Sequence, residues 1–168
     1  MQKCAFRSTS LIMSLLLASC AEEPRRSALI EASPRECAAS QTHVDPAAAA
    51  DAISQYRREH AFSAVEPDPI LQKLAQAQAN AMAAQDQLSH EVEGTLRKRL
   101  DAAKLGQRTA VENVSAGYFA LADVMAGWRH SPGHNANLLD PHMRRLGVAT
   151  AYAPGTRYKV YWALIMSD

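Results

Sequence analysis

Cysteine is scarce in this chain and confined to its beginning. The 168 residues include three cysteines, Cys4, Cys20 and Cys37. If Cys4 is removed with an export signal and Cys20 is acylated, Cys37 has no partner within the chain. A disulfide framework is therefore not expected. A single domain of roughly 120 to 130 residues can bury enough apolar surface to fold without one.

Long apolar runs are absent as well. The most apolar stretch covers residues 11–17 (Leu-Ile-Met-Ser-Leu-Leu-Leu), whereas a helix needs about 20 apolar residues to span a bilayer. Two basic residues precede this stretch, and the small residues Ala18 and Ser19 follow it. A positively charged N-terminal region, a short apolar run and small residues after it are the pattern of an export signal. The sequence therefore predicts a signal peptide over residues 1–19.

Residues 17–20 (Leu-Ala-Ser-Cys) resemble the bacterial lipobox. In proteins with that motif the cysteine is lipidated and becomes the new N-terminus, so the resemblance implies lipidation of Cys20. Several acyl chains hold a protein durably to a membrane, because each buried methylene contributes about 0.8 kcal/mol. The alternative is ordinary signal cleavage that leaves Cys20 a plain thiol. Ala21 is not the aspartate that retains enteric lipoproteins in the inner membrane, so the outer membrane is expected in a Gram-negative host.

Neither sign of charge dominates the sequence. The chain carries 18 Lys and Arg against 17 Asp and Glu. Loss of the signal peptide with Lys3 and Arg7 would leave 16 basic and 17 acidic residues, a net charge of about −1. No basic stripe is present, so nucleic acid is not expected as a partner. The short basic run at 97–99 (Arg-Lys-Arg) is interpreted as the solvated face of a helix.

Two segments are expected after the signal peptide. Residues 20–44 contain Pro24 and Pro34, several charges and little apolar periodicity. This composition is typical of a flexible tether. Residues 45–168 carry the regular apolar patterns and are expected to form one domain, as a monomer.

Helices dominate the first part of this domain and strands its end. Asp45 followed by Pro46 opens the first helix, and residues 66–69 (Glu-Pro-Asp-Pro) break the chain before Asp68 caps the second. The absence of βαβ alternation favours an α+β fold with an antiparallel sheet covered by helices. The spacing predicts helices over 46–60, from 68 to 89–90, over 96–105 closed by Gly106, over 120–128 and over 134–138. Residues 109–117 are expected to form a short strand or an extended loop, and strands are predicted over 146–152 and 158–165 as a hairpin.

Three residues stand out as carriers of chemistry. They are His90 in Leu-Ser-His, Glu112 in Val-Glu-Asn-Val, and His134 in Ser-Pro-Gly-His-Asn. Alone, each has a plain structural explanation, because a histidine at a helix end is usually a cap or a satisfied polar contact. Taken in chain order, however, they match the motifs of a known family.

The domain resembles the bacterial branch of the CAP superfamily, the cysteine-rich secretory or SCP-like domains, over roughly residues 47–166. The resemblance implies a CAP-type α-β-α sandwich, with a small antiparallel sheet between helices, a central cleft, and an extracellular or cell-envelope setting. The matching features are Ser-His at 89–90, Glu-Asn-Val at 112–114 followed by Gly117, Trp-x-x-Ser-Pro-Gly-His-x-x-Asn-Leu-Leu at 128–139, Gly-Val-Ala at 147–149 and Tyr-Trp at 161–162.

The cleft of this family usually holds a tetrad of two His and two Glu. By motif, His90 and His134 match the two histidines, and Glu112 matches the glutamate that precedes an asparagine. The other glutamate follows the tryptophan by three positions in many eukaryotic members, and that position is Ser131 here. The resemblance therefore implies a trio, and it counts against any role that requires two carboxylates.

The trio suits two kinds of chemistry. Two neutral imidazoles and one carboxylate can bind Zn²⁺ or another divalent cation with a position left for water, and a bound metal lowers the pKa of that water toward about 7. Without a metal, Glu112 could orient a histidine as a general base. Ser89 and Ser131 adjoin the trio, but neither lies in a Gly-x-Ser-x-Gly elbow.

Three functions of different classes follow from these motifs. The first is an exported, lipid-anchored binding module of the cell envelope, whose cleft takes a divalent metal, a small apolar or lipid ligand, or a cell-wall component. The second is a metal-assisted hydrolase of peptide or cell-wall bonds, with His90, Glu112 and His134 as catalytic candidates. The third is a purely structural envelope protein in which the trio only stabilises the cleft.

Overall fold

A computed structural model describes residues 42–168 of the chain. The predicted signal peptide, Cys20 and nearly all of the predicted tether lie outside the described residues. No helix within residues 42–168 combines the length and apolar character needed to cross a membrane. In chain order the elements are α1 (Pro46–Glu59), β1 (Glu66–Pro67), α2 (Pro69–Gln85), α3 (Leu96–Ala102), β2 (Ala110–Ala116), α4 (Leu121–His130), α5 (Pro132–Leu138), β3 (Arg145–Tyr152) and β4 (Val160–Ser167).

The two long helices begin where the sequence predicts. The Asp45 carboxylate accepts a hydrogen bond from the Ala47 amide at 2.9 Å. Asp68 Oδ1 accepts from the amides of Ile70 and Leu71 at 2.8 and 3.1 Å. In each case proline occupies the first turn, where its missing amide hydrogen costs nothing. These caps satisfy amides that a helix start would otherwise leave without partners.

The sheet has the strand order β1-β3-β4-β2. β3 and β4 form the predicted antiparallel hairpin, and β2 pairs antiparallel with the other edge of β4. The predicted break at 66–69 also contributes a two-residue strand, in which Glu66 and Pro67 pair parallel with Arg145 and Leu146. The sequence did not predict this strand, because two residues are too few to show an alternating pattern.

Helices cover both faces of the sheet, which confirms the predicted α-β-α sandwich. Every residue of β4 is buried, because its side chains point alternately into two cores. One core joins β4 to α1 and α4, and the other joins it to α2 and α3. The first core includes Val160, Trp162, Leu164 and Met166 of β4, and the second includes Tyr161, Ala163 and Ile165.

Helix α2 lies in direct backbone contact with β3 at Gly147. A Cβ atom at this position would overlap the backbone of Leu71 and Gln72. Only glycine allows so close an approach. The approach lets the Gln72 amide donate to the carbonyl of Val148 at 2.7 Å and accept from its N–H at 2.9 Å. Because β1 pairs with β3 only as far as Leu146, the Gln72 side chain makes the hydrogen bonds to Val148 that a longer β1 would make.

Buried Arg57 of α1 fixes the end of α5. Its Nη1 donates to the carbonyls of Leu138 and Asp140 at 2.7 and 2.9 Å, and its Nη2 donates to the carbonyl of Met143 at 3.1 Å. These carbonyls lie where α5 ends and the chain turns toward β3. One side chain of α1 therefore satisfies the backbone groups that this turn would leave unpaired.

Two predicted helix ends are wrong. Helix α2 ends at Gln85 and not near His90, because Asp86 adopts a left-handed conformation with φ of 47°. Its carboxylate accepts hydrogen bonds from the Arg157 amide and the Tyr161 hydroxyl, and these contacts hold the break. Helix α3 ends at Ala102, and the residue with positive φ after it is Lys104 and not Gly106. Residues 86–95 are consequently a connection that carries His90.

Substitution of Gly147 by alanine is expected to destabilise the fold by about 1–3 kcal/mol or more, because the added methyl forces α2 away from β3. Urea unfolding followed by circular dichroism measures this change. Gly155→Ala is the matched control, since a Cβ there meets nothing within 4 Å, and its effect should stay within about 0.5 kcal/mol. Equal stability of the two variants would contradict the close packing.

Candidate functional site

Three different elements carry the predicted site residues. His90 lies in the connection between α2 and α3, Glu112 lies on the edge strand β2, and His134 lies in α5. The alternation of β2 directs Glu112 to the face covered by α2 and α3. It directs the next residue, Asn113, toward α5. The site therefore forms at one edge of the sheet.

Glu112 and His90 are in direct contact. Glu112 Oε1 lies 2.9 Å from His90 Nδ1, and the glutamate side chain is 3% exposed and that of the histidine 55%. An ionised carboxylate only accepts hydrogen bonds, so Nδ1 is the donor in this pair. The lone pair of the neutral ring is then on Nε2, on the edge of the ring away from Glu112. His90 is thus an exposed imidazole held from behind by a buried carboxylate.

Arg99 is a further site residue that the sequence interpretation missed. Its Nη2 lies 2.7 Å from Glu112 Oε2, and both side chains are buried. The interpretation of 97–99 as a solvated helix face is therefore wrong for Arg99, although Arg97 and Lys98 are exposed. The sequence does contain a sign that Arg99 is buried, because Arg99 lies on the same predicted helix face as the apolar residues Leu96 and Leu100.

The backbone that carries His90 is held at several points. Gln78 Nε2 donates to the carbonyl of Ser89 at 2.7 Å, and Arg99 Nη2 donates to the carbonyl of His90 at 3.2 Å. Gln78 itself is fully buried. We call Gln78, Arg99 and Glu112 the His90 support. Together they fix both the ring and the main chain of this histidine.

Two asparagines fix α5 against β2. Asn113 Nδ2 donates to the carbonyl of His134 at 3.1 Å. Asn137 Nδ2 donates to the carbonyl of Glu112 at 3.1 Å and to Asn113 Oδ1 at 2.8 Å. The main chain of His134 and that of Glu112 are consequently joined by a single amide network.

Burial lowers the pKa of His134 from its ordinary value of 6.5, and the charge of His90 lowers it further. Both effects disfavour the protonated imidazole. His134 is therefore neutral near pH 7, which is the form that binds metals or accepts protons.

A metal at this site would have to be held by imidazole nitrogens and not by the whole predicted trio, because Glu112 is already engaged. Among residues 42–168, no three His, Cys, Asp or Glu side chains gather in a metal-binding group. Both oxygens of Glu112 are engaged, one by His90 and one by Arg99. A histidine ligand commonly donates its second ring hydrogen to a carboxylate in this way. Glu112 therefore lies in the position of an orienting group, behind His90.

Trp128 and Ser131 complete the edge of the site. Trp128 is fully buried and donates from Nε1 to the Ser115 hydroxyl at 2.8 Å. Ser131 lies between α4 and α5, where its backbone N–H donates to the carbonyl of Gly127. Its hydroxyl makes no capping bond to α5. Ser131, which stands where many eukaryotic members have the second glutamate, thus forms part of a turn and contributes no carboxylate.

The model of the family described as "CAP: Cysteine-rich secretory protein family" matches residues 50–166. The chain belongs to the CAP family. The resemblance inferred from the Ser-His, Glu-Asn-Val and Ser-Pro-Gly-His motifs is therefore confirmed. A search among curated proteins finds no match to this CAP chain.

The solved structures that share this fold include three bacterial proteins. An outer surface protein from Borrelia burgdorferi is 17% identical with a TM-score of 0.65, and the match covers 75% of this chain and 96% of that one. An extracellular protein containing a SCP domain from Bacillus anthracis is 27% identical with a TM-score of 0.60, over 71% of this chain and 39% of that one. A cysteine-rich secretory protein from Staphylococcus aureus is 16% identical with a TM-score of 0.58, over 72% of this chain and 37% of that one.

The lowered pKa of His134 predicts that part of the stability depends on pH. The unfolded chain binds a proton at His134 near its ordinary value of 6.5, whereas the folded chain binds it only at lower pH. The stabilisation is therefore complete above that value and falls as the pH decreases toward the folded-state pKa. Urea unfolding between about pH 8 and pH 5 should show this loss.

The loss of folding stability at acidic pH should be smaller in His134→Gln than in the wild type. His142→Gln is the matched control, since His142 is exposed, and it should retain the wild-type pH dependence. An identical pH profile for His134→Gln and wild type would show that His134 does not titrate differently in the folded chain.

Proposed function

We propose that this protein is an exported, lipid-anchored CAP domain that serves as a binding module of the cell envelope. The observation that carries the binding role is the exposed imidazole of His90, which the buried Glu112 carboxylate holds at Nδ1. His134, whose pKa is lowered by burial, is the second nitrogen donor of this proposal. The export signal and lipobox pattern support the location. The names of the related structures, an outer surface protein and an extracellular protein, are in keeping with it.

The ligand that suits this cleft best is a divalent cation with affinity for imidazole, such as Zn²⁺. His90 and His134 would hold the ion, and Glu112 would orient His90 from behind. A bound ion would supply a Lewis-acidic point to which an anionic or carbonyl group of an envelope component could attach. The residues of this chain contribute by presenting two neutral nitrogen donors on a rigid support.

Calorimetric titration of residues 38–168 with Zn²⁺ tests this proposal without interference from the cysteines. One-to-one saturable binding is expected for the wild type, and its loss is expected in His90→Ala/His134→Ala. The control His43→Ala/His142→Ala removes the same number of histidines from exposed positions and should bind like the wild type. Failure of the wild type to bind Zn²⁺ would leave a ligand of other chemistry, to be sought among lipids and cell-wall fragments.

A second candidate function, hydrolysis of peptide or cell-wall bonds, is favoured by one observation. A buried carboxylate behind an exposed imidazole is the arrangement that activates a histidine as a general base. Turnover of peptides or muropeptides by the wild type, lost in His90→Ala while the fold is retained, would establish it. Absence of turnover across both substrate classes would leave the binding role.

Replacement of Cys20 by serine should release the protein from membranes, because the acyl chains provide the predicted anchor. Fractionation of cells and labelling with a fatty-acid analogue measure this. Cys37→Ser is the matched control and should remain labelled and membrane-bound. Membrane association that persists without Cys20 would require another means of attachment.

A further inference from the structure

Arg99 contacts both the carboxylate that holds the His90 ring and the main chain that carries it. Its Nη2 donates to Glu112 Oε2 at 2.7 Å and to the carbonyl of His90 at 3.2 Å. Its Nε donates to the carbonyl of Gly94 at 3.2 Å. One guanidinium therefore fixes the carboxylate that meets the His90 ring as well as the main chain that carries the ring.

The pairing of Arg99 with Glu112 determines which ring nitrogen of His90 carries hydrogen. Both side chains are almost completely removed from water, with 6% and 3% exposed. A buried carboxylate needs a counter-charge and hydrogen bonds to remain an anion, and the guanidinium supplies both. An anionic carboxylate cannot donate, so the hydrogen between Glu112 and His90 belongs to Nδ1. The neutral ring then keeps its lone pair on Nε2.

The His90 support includes polar atoms that no protein group satisfies. Within the described part of the chain, two buried side-chain atoms lack a hydrogen-bond partner, Gln78 Oε1 and Arg99 Nη1. Both belong to side chains whose other nitrogens hold the carbonyls of Ser89 and His90. Unpaired buried polar atoms are costly, and folds tolerate them mainly where function requires a particular arrangement.

We propose that Arg99 is a positioning residue of the cleft. Through Glu112 it fixes His90 in the tautomer with hydrogen on Nδ1, and it thereby presents the Nε2 lone pair to a ligand. It also cancels the charge of Glu112, so the cleft offers neutral nitrogen donors. Such a cleft selects cations that accept imidazole, such as Zn²⁺, over Ca²⁺, which prefers charged oxygen ligands. The preference for Zn²⁺ over Ca²⁺ rests on the proposed function. The assignment of the His90 hydrogen to Nδ1 is independent of it.

The tautomer is measured in the metal-free protein by long-range ¹H–¹⁵N correlation of the histidine rings, at a pH where the imidazoles are neutral. Wild-type His90 should show hydrogen on Nδ1 alone. Arg99→Met should give a mixture of tautomers, and Arg99→Lys should restore part of the preference because it returns the charge. Lys98→Met removes a charge from an exposed neighbour and should leave the His90 signal unchanged.

A variant with an uncompensated buried charge can fail to fold, so Arg99→Met/Glu112→Gln provides a neutral alternative. The amide at 112 can either donate or accept, and His90 should lose its preference there too. A wild-type His90 with hydrogen on Nε2 would overturn the proposal without any variant. A single Nδ1 tautomer that survives in a folded variant lacking the guanidinium would also overturn it.

Titration with Zn²⁺ and with Ca²⁺ separates this inference from the proposed function. Arg99→Met is expected to weaken Zn²⁺ binding by about tenfold to a hundredfold, which is the usual effect of removing an outer group behind a histidine ligand. Lys98→Met should bind like the wild type. If the wild type binds no Zn²⁺ but the tautomer follows Arg99, the positioning role stands and the proposed metal ligand fails. Preference for Ca²⁺ would overturn the proposed selectivity.

Discussion

The contact of α2 with β3 at Gly147 is the constraint on which this side of the molecule depends. A side chain at this position would overlap the backbone of Leu71 and Gln72, so its absence sets the distance between helix and sheet. At that distance the Gln72 amide can pair with the β3 backbone. Further along α2, Gln78 reaches the carbonyl of Ser89. The main chain that carries His90 is thus held by a helix whose distance from the sheet depends on a glycine.

The edge strand β2 is linked to both histidines, one from each face of the sheet. Glu112, Ile165 and Gly147 lie in one row across β2, β4 and β3, so Glu112 faces the side that α2 covers. Asn113 faces the other side and holds the main chain of His134 in α5. Because consecutive residues of a strand point in opposite directions, two adjacent positions are enough to connect both histidines to one rigid element.

Much of this arrangement could be predicted from local pattern and family motif, and the rest depends on contacts between distant segments. Aspartate before proline marked the starts of α1 and α2, because capping is a local effect. The end of α2 could not be predicted in this way, since Asp86 is held in a left-handed conformation by Arg157 and Tyr161. The motifs indicated His90, Glu112 and His134. Only the fold shows that Glu112 lies behind His90, or that Arg99 contacts the Glu112 carboxylate.

The pairing of Glu112 with Arg99 gives a physical reason why this site has one carboxylate and not the two of the usual family tetrad. One buried carboxylate, Glu112, is matched by one buried guanidinium, Arg99, and two opposite charges at this distance offset the desolvation that either would suffer alone. A second carboxylate at the position of Ser131 would have no such partner among the contacts described for the site. With serine there, the charges of Glu112 and Arg99 balance, and the exposed group in contact with this pair is the imidazole of His90. Serine at this position weakens a two-carboxylate mechanism, and under the proposed function it would favour recognition by neutral donors.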